Sequence, residues 1–280
     1  MNRSITAAIL EAVNSIIRFA VEYLLVDPSR FMDGALWDYA ESVFDMLSAA
    51  GAGLLAVIFL MGILHEHTSF REMRRPEVLW SLGIRFALAY GAVFHAKDIM
   101  VAIIRIMQAV AGAVYDMKPF SGSSFSGVAD IPSEVLAEIN SLNWFTDMLT
   151  VFLLFIGALV MLVGAVTVLL TIFGRFFRIY LHLAVAPFPM AAIGARNTEN
   201  IAGSFIRSFI ACCAEVSLIM LAVVLYSVFF RHNVESLSLI SETADNHLSL
   251  NWIFSSVLNV LILAATVRTC DNILGRWLRV

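Results

Sequence analysis

Charge is scarce in this chain. Asp, Glu, Lys and Arg together make up 14% of 280 residues, against about 25% in an average soluble domain. The net charge of −4 leaves no basic field of the kind that wraps nucleic acid. Cysteine is also sparse. Cys212 and Cys213 sit inside an apolar run and Cys270 lies near the C-terminus, an arrangement that gives neither a disulfide framework nor zinc spacing, and there is no C-x-x-C. The nearest approach to a metal motif is His65-Glu66-His67. Its histidines are two residues apart and point in different directions on a helix, whereas a zinc pair needs them one turn apart, so the triplet is read as an interfacial polar cap. GxSxG, Walker A and GxGxxG are all missing, and no Ser/His/Asp set can be assembled. These absences predict no enzyme, no cofactor and no metal. A cleavable signal is not expected either, because Glu11, Arg18 and Glu22 interrupt the apolar stretch behind Arg3.

Apolar residues are plentiful: 60% of the chain is hydrophobic and the mean hydropathy is +0.85. A membrane-crossing helix needs roughly 20 predominantly apolar residues. Stretches of that kind are predicted at about 46–64, 78–95, 148–173, 205–230 and 252–267. Apolar character resumes at 99–115 after His95, Lys97 and Asp98. A single helix over 78–115 would be roughly 57 Å long, well beyond the ~30 Å hydrocarbon core. The expectation is one span followed by an interfacial or projecting helix, with a sixth span as the competing reading.

Basic residues orient the spans. Arg71, Arg74 and Arg75 follow the first, Arg175, Arg178 and Arg196 the third, and Arg268, Arg276 and Arg279 the last. With five spans all three groups share one side, which is then cytoplasmic. The N-terminus and the loops 116–147 and 231–251 fall outside, where Asp130, Glu134, Glu138, Glu235, Glu242 and Asp245 collect. The expected fold class is therefore an all-α polytopic transmembrane bundle, N-out and C-in. Residues 1–45 form a separate extracytoplasmic region of two amphipathic helices, and 46–280 form the membrane domain. The first helix, 4–25, has Glu11, Asn14, Arg18 and Glu22 at helical spacing. Asp27-Pro28-Ser29 makes a turn, and the second helix, 31–46, carries Asp38, Glu41 and Asp45 on one face. Such helices lie on a membrane or dock an outer partner. Ser121–Gly127 is turn-prone, and no internal repeat is evident.

Ionisable residues inside spans are costly and face protein or water. Arg207 and Glu215, with Ala211 between them, are expected on one face of one helix, and Arg85 finds its only obvious deep acidic partner in Glu215. The set reads either as packing ion pairs or as the lining of a conduit. The second option would make the chain a secondary transporter or small-molecule channel, although such folds carry paired broken helices and only one broken segment is visible here. Gly51, Gly53, Gly157, Ala158, Gly164 and Ala165 mark close helix contacts, within a chain or between copies.

The most distinctive stretch opens on Arg175 and Arg178 and runs to Pro187 and Pro189. Two prolines one residue apart break a helix. The segment is expected on the cytoplasmic face, lying in the interface or dipping in and returning. Its pattern, R-x-x-R-I-Y-L-H-L-A-x-A-P-x-P-x-A between two long spans, followed by Ser204-Phe205-Ile206-Arg207, resembles the TrbL family of polytopic inner-membrane subunits of type IV secretion and conjugation machines. The likeness covers about 148–230. It implies a non-enzymatic channel or scaffold subunit in a bacterial cytoplasmic membrane, forming a homo-oligomeric ring. It also implies partners: secretion ATPases, pilin or stalk proteins, the translocated DNA or protein, and the lipid bilayer. Arg175, Arg178, Pro187 and Pro189 are then candidate partner contacts.

Overall fold

The computed structural model describes residues 2–66, 76–116, 148–241 and 248–277. Among the described residues every regular element is helical: α1 (Asn2–Leu24), α2 (Ala35–Glu66), α3 (Pro76–Phe94), α4 (Ala96–Asp116), α5 (Met148–Val185), α6 (Pro187–Ala191), α7 (Glu199–Ser241) and α8 (Leu248–Trp277), with 3-10 turns at Pro28–Gly34 and Ala192–Gly194. The Arg71–Arg75 cluster, most of the outer loop 116–147, His67, Glu242, Asp245 and Arg279 lie outside the described residues.

Four helices are long and apolar enough to cross a membrane: Pro28–Leu64, Ala96–Asp116, Val151–Val185 and Glu199–Tyr226. The expected spans at 78–95 and 252–267 correspond to shorter apolar helices, Trp80–Phe94 and Phe254–Cys270. Conversely, the stretch expected to lie in the interface or to project is long enough to span. Several helices outrun the stretches predicted for them. Glu235, expected in an outer loop, falls within α7, and α2 passes position 45 without a break. No proline or glycine separates the acidic turns of α2 from its apolar ones, so one helix carries both.

The chain divides into two compact units. The first gathers α1, the end of α4, α5 up to Gly174, α7 from Val216 and α8 up to Asn272. Its interior is built from residues recurring every three or four positions: Val13, Ile17, Ala20 and Leu24 on α1, and Ala158, Met161, Ala165, Val168 and Ile172 on α5. Gly164 belongs to the same face. A Cβ there would come within 2.6 Å of the Val260 side chain, so α5 and α8 approach as closely as they do because the residue is glycine.

The second unit holds Val26–Ala109, Arg175–Glu215 and the chain from Ile273. α3 and α4 meet at His95, yet the helical ladder crosses the junction: the His95 N–H donates to Gly91 O at 2.9 Å and the Ile99 N–H to His95 O at 3.0 Å. The polar group that interrupts the apolar run begins at His95, and the turn between the two helices falls on that residue. α2 and α3 touch through Phe59 and Phe86. Against them pack α6 and the turn behind it.

Candidate functional site: a helical hairpin with a buried carboxylate

The end of α5, the proline-broken turn and the start of α7 form a hairpin within the second unit. Its arms are tied by charge. Arg178 Nη2 donates to both Glu215 oxygens, at 2.9 and 2.7 Å, and the Glu215 side chain is only 1% exposed against 36% for Arg178. Removing one partner of a buried pair typically costs ~3–5 kcal/mol, because the other charge is left in a poor dielectric. Arg175 is buried too. Its guanidinium lies 4.7 Å from the Phe176 ring centroid, and its carbonyl accepts from the Cys212 thiol at 3.9 Å.

One turn further on, His182 bridges the arms. Its Nδ1 lies 2.7 Å from the Arg178 carbonyl, which can only accept, so the proton sits on Nδ1 and Nε2 is left to accept from Ser208 Oγ at 3.3 Å. The rings of Phe205 and Phe209 flank the imidazole at 5.6 and 5.9 Å. On the other side of the arm, the Tyr180 hydroxyl donates to the Pro28 carbonyl at 2.8 Å. Phe176 stacks on Phe31 at 4.2 Å, and Trp37 meets Tyr180 edge-on.

The prolines do what their chemistry requires. α5 ends at Val185, Ala186 keeps helical angles, and Pro187 opens α6 at a position where an N–H would have no helical partner. The chain turns extended at Ala195. Thr198 closes the reversal, its hydroxyl donating to the Ala192 and Ala195 carbonyls at 2.8 and 3.2 Å. The turn packs on one face of α2. A Cβ at Gly51 would fall 2.8 Å from Pro187 Cβ, one at Gly62 would fall 2.6 Å from Ala195 Cβ, and one at Gly194 would fall 2.7 Å from a Leu55 methyl. Gly51 therefore makes the close contact its residue type predicted, but inside the chain. Gly53 has nothing within 4 Å of such an atom.

The candidate residues are distributed as follows. Arg175, Arg178, Pro187 and Glu215 all belong to the hairpin and its packing, while Pro189 is half-buried in the same turn. The partner that the structure gives Glu215 is Arg178, from the other hairpin arm. Arg85 reaches Glu199 instead, at 3.6 Å, with side chains 27% and 61% exposed. Arg207 and Glu215 do not share an environment. Arg207 is exposed, and its Nε donates to Gly203 O at 3.2 Å. Eight residues at 3.6 per turn leave the two side chains about 80° apart on α7, enough to put one at the surface and the other inside. Among the described residues no cluster of three or more His, Cys, Asp or Glu could hold a metal ion. The Tyr180 and His182 contacts were not singled out from the sequence, since one partner is a distant backbone carbonyl and the other a serine 26 positions away. No protein-family model, curated protein or solved structure matches this chain.

Proposed function

We propose that the chain is a TrbL-like, non-enzymatic membrane subunit of a conjugative type IV secretion system. In this reading it is a channel or scaffold component of a bacterial cytoplasmic membrane. It assembles with copies of itself, with ATPases and with pilin or stalk proteins, around translocated DNA or protein. The observation that carries the reading is the R-x-x-R-I-Y-L-H-L-A-x-A-P-x-P-x-A stretch. Its residues have specific jobs in one hairpin: Arg178 holds Glu215, Tyr180 and His182 tie the arm to its neighbours, and Pro187 seats the turn on α2. A stretch used that way builds a rigid element and leaves the chemistry to other subunits.

The test has two stages. Deleting the gene from its host should abolish conjugative transfer, and supplying it in trans should restore it; undiminished transfer in the deletion strain would sink the proposal. Pro187→Ala with Pro189→Ala should then lower transfer far more than it lowers the amount of protein in the membrane.

A further inference from the structure

The second unit contains a complete slab of its own. From Met46 to Leu64, α2 has no charged residue, which at 1.5 Å per residue is about 28 Å, close to the ~30 Å hydrocarbon core. Polar groups bound it on both sides. At one end are Asp38 and Asp45 with the Lys97–Glu41 pair at 2.6 Å and the His95–Asp98 pair at 3.2 Å. At the other end α2 stops at Glu66, and the hairpin exposes Arg196, Asn197, Glu199 and Asn200.

The glycine contacts fix where the turn lies between these rims. Pro187 is beside Gly51, Gly194 beside Leu55, and Ala195 beside Gly62. From Gly51 to Gly62 is about 16 Å along α2, so the turn runs from about 8 Å inside one rim, past the middle of the slab, and emerges only at Arg196. Its backbone is suited to a site without water. Pro187 and Pro189 have no N–H, the freed carbonyls of Ala192 and Ala195 are taken by Thr198, and Ala191, Ala192, Gly194 and Ala195 are buried. Broken backbone persists at membrane depth only when it is covered by protein in this way. Most outward side chains at the same level are apolar: Leu54, Val57, Leu60 and Met61 on α2, Ile84 and Leu88 on α3, and Val185 and Ile201 on the hairpin, 44% and 55% exposed. The charges among them are engaged, Arg85 with Glu199 at 3.6 Å and Arg207 with the Gly203 carbonyl at 3.2 Å.

We infer that the proline-broken turn is embedded in the bilayer rather than laid on its surface, and that lipid acyl chains cover its outer face at Val185 and Ile201. From Ile179 to Ala195 the chain has no Asp, Glu, Lys or Arg, as α2 has none from Met46 to Leu64, and this shared lack of charge selects acyl chains as the occupant. The inference does not depend on the secretion assignment.

Single cysteines at Val185, Ile201 and Asn197 test it in native membranes opened to both sides. The native chain serves as the blank, because Cys212, Cys213 and Cys270 are buried. A charged thiol reagent should modify Asn197→Cys readily, and Val185→Cys and Ile201→Cys roughly tenfold or more slowly. Equal rates at all three would place the turn in water and overturn the inference. A photoactivatable benzoylphenylalanine at Val185 or at Ile201, in otherwise native chains, then identifies the neighbour by mass spectrometry. Phospholipid adducts support acyl chains. Adducts to another protein, or to a second copy of this chain, overturn that occupant.

Discussion

Two turns in the second unit redirect the chain with opposite chemistry. The turn between α1 and α2 is built from polar and left-handed residues. Asp27 Oδ1 accepts from the Ser29 N–H and hydroxyl, both at 2.9 Å, and Met32, Asp33 and Gly34 have φ of 50°, 58° and 80°. Arg30, Met32 and Asp33 are exposed. The turn between α5 and α7 has no positive φ and no charged side chain before Arg196. It turns by deleting donors and by using residues small enough to be buried. One design depends on water nearby to finish its hydrogen bonding, and the other does without it. The comparison shows how one protein makes a reversal in each solvent.

The largest effect that would break this contrast is expected at Gly51. Gly51→Ala drives a Cβ against Pro187, and overpacking of this kind costs typically 1–3 kcal/mol. Gly53→Ala, two residues away and open, should leave thermal unfolding in detergent unchanged. If the two variants melt alike, the turn is not seated on α2. A smaller effect separates the turns directly. Thr198→Val takes the hydroxyl from the buried Ala192 carbonyl, at about 1–2 kcal/mol, while the Thr198 N–H still serves Ala195, whereas Asp27→Ala removes a cap that water can partly replace, at about 1 kcal/mol or less. Matched denaturation midpoints for the pair would remove the distinction in solvent. The smallest effect runs the other way. Met32→Gly relieves a left-handed backbone at an exposed side chain and should raise the midpoint slightly, by up to about 1 kcal/mol, while Ala191→Gly, at a buried helical position, should lower it.

Much of this was legible in the sequence. Long apolar runs announced the helices, Asp27-Pro28-Ser29 announced the first turn, and two prolines announced the second. What the sequence could not show was pairing across the fold. The sequence pointed to Arg85 as the partner of Glu215, and only the hairpin brings Arg178 beside it instead. The face shared by Arg207 and Glu215 dissolved for a related reason, since a step of two near-turns looks aligned in sequence and is not quite so on a helix. Nor could composition reveal the left-handed Met32, because methionine has no preference for that region and the conformation is imposed by its surroundings. The continuous α2 was hidden by a change in surface chemistry at position 45 that marks a change of solvent without any change of backbone.

The Arg178–Glu215 pair also has a consequence for synthesis. The two residues are 37 positions apart, so at about 5–20 residues per second the ribosome delivers the cation roughly 2–7 s before its counter-charge. For that interval the first arm exists with Arg175 and Arg178 and without the carboxylate they are built around. Its tie to Glu215 can form only after α7 has been made, so the two arms close on each other only once both have been synthesised.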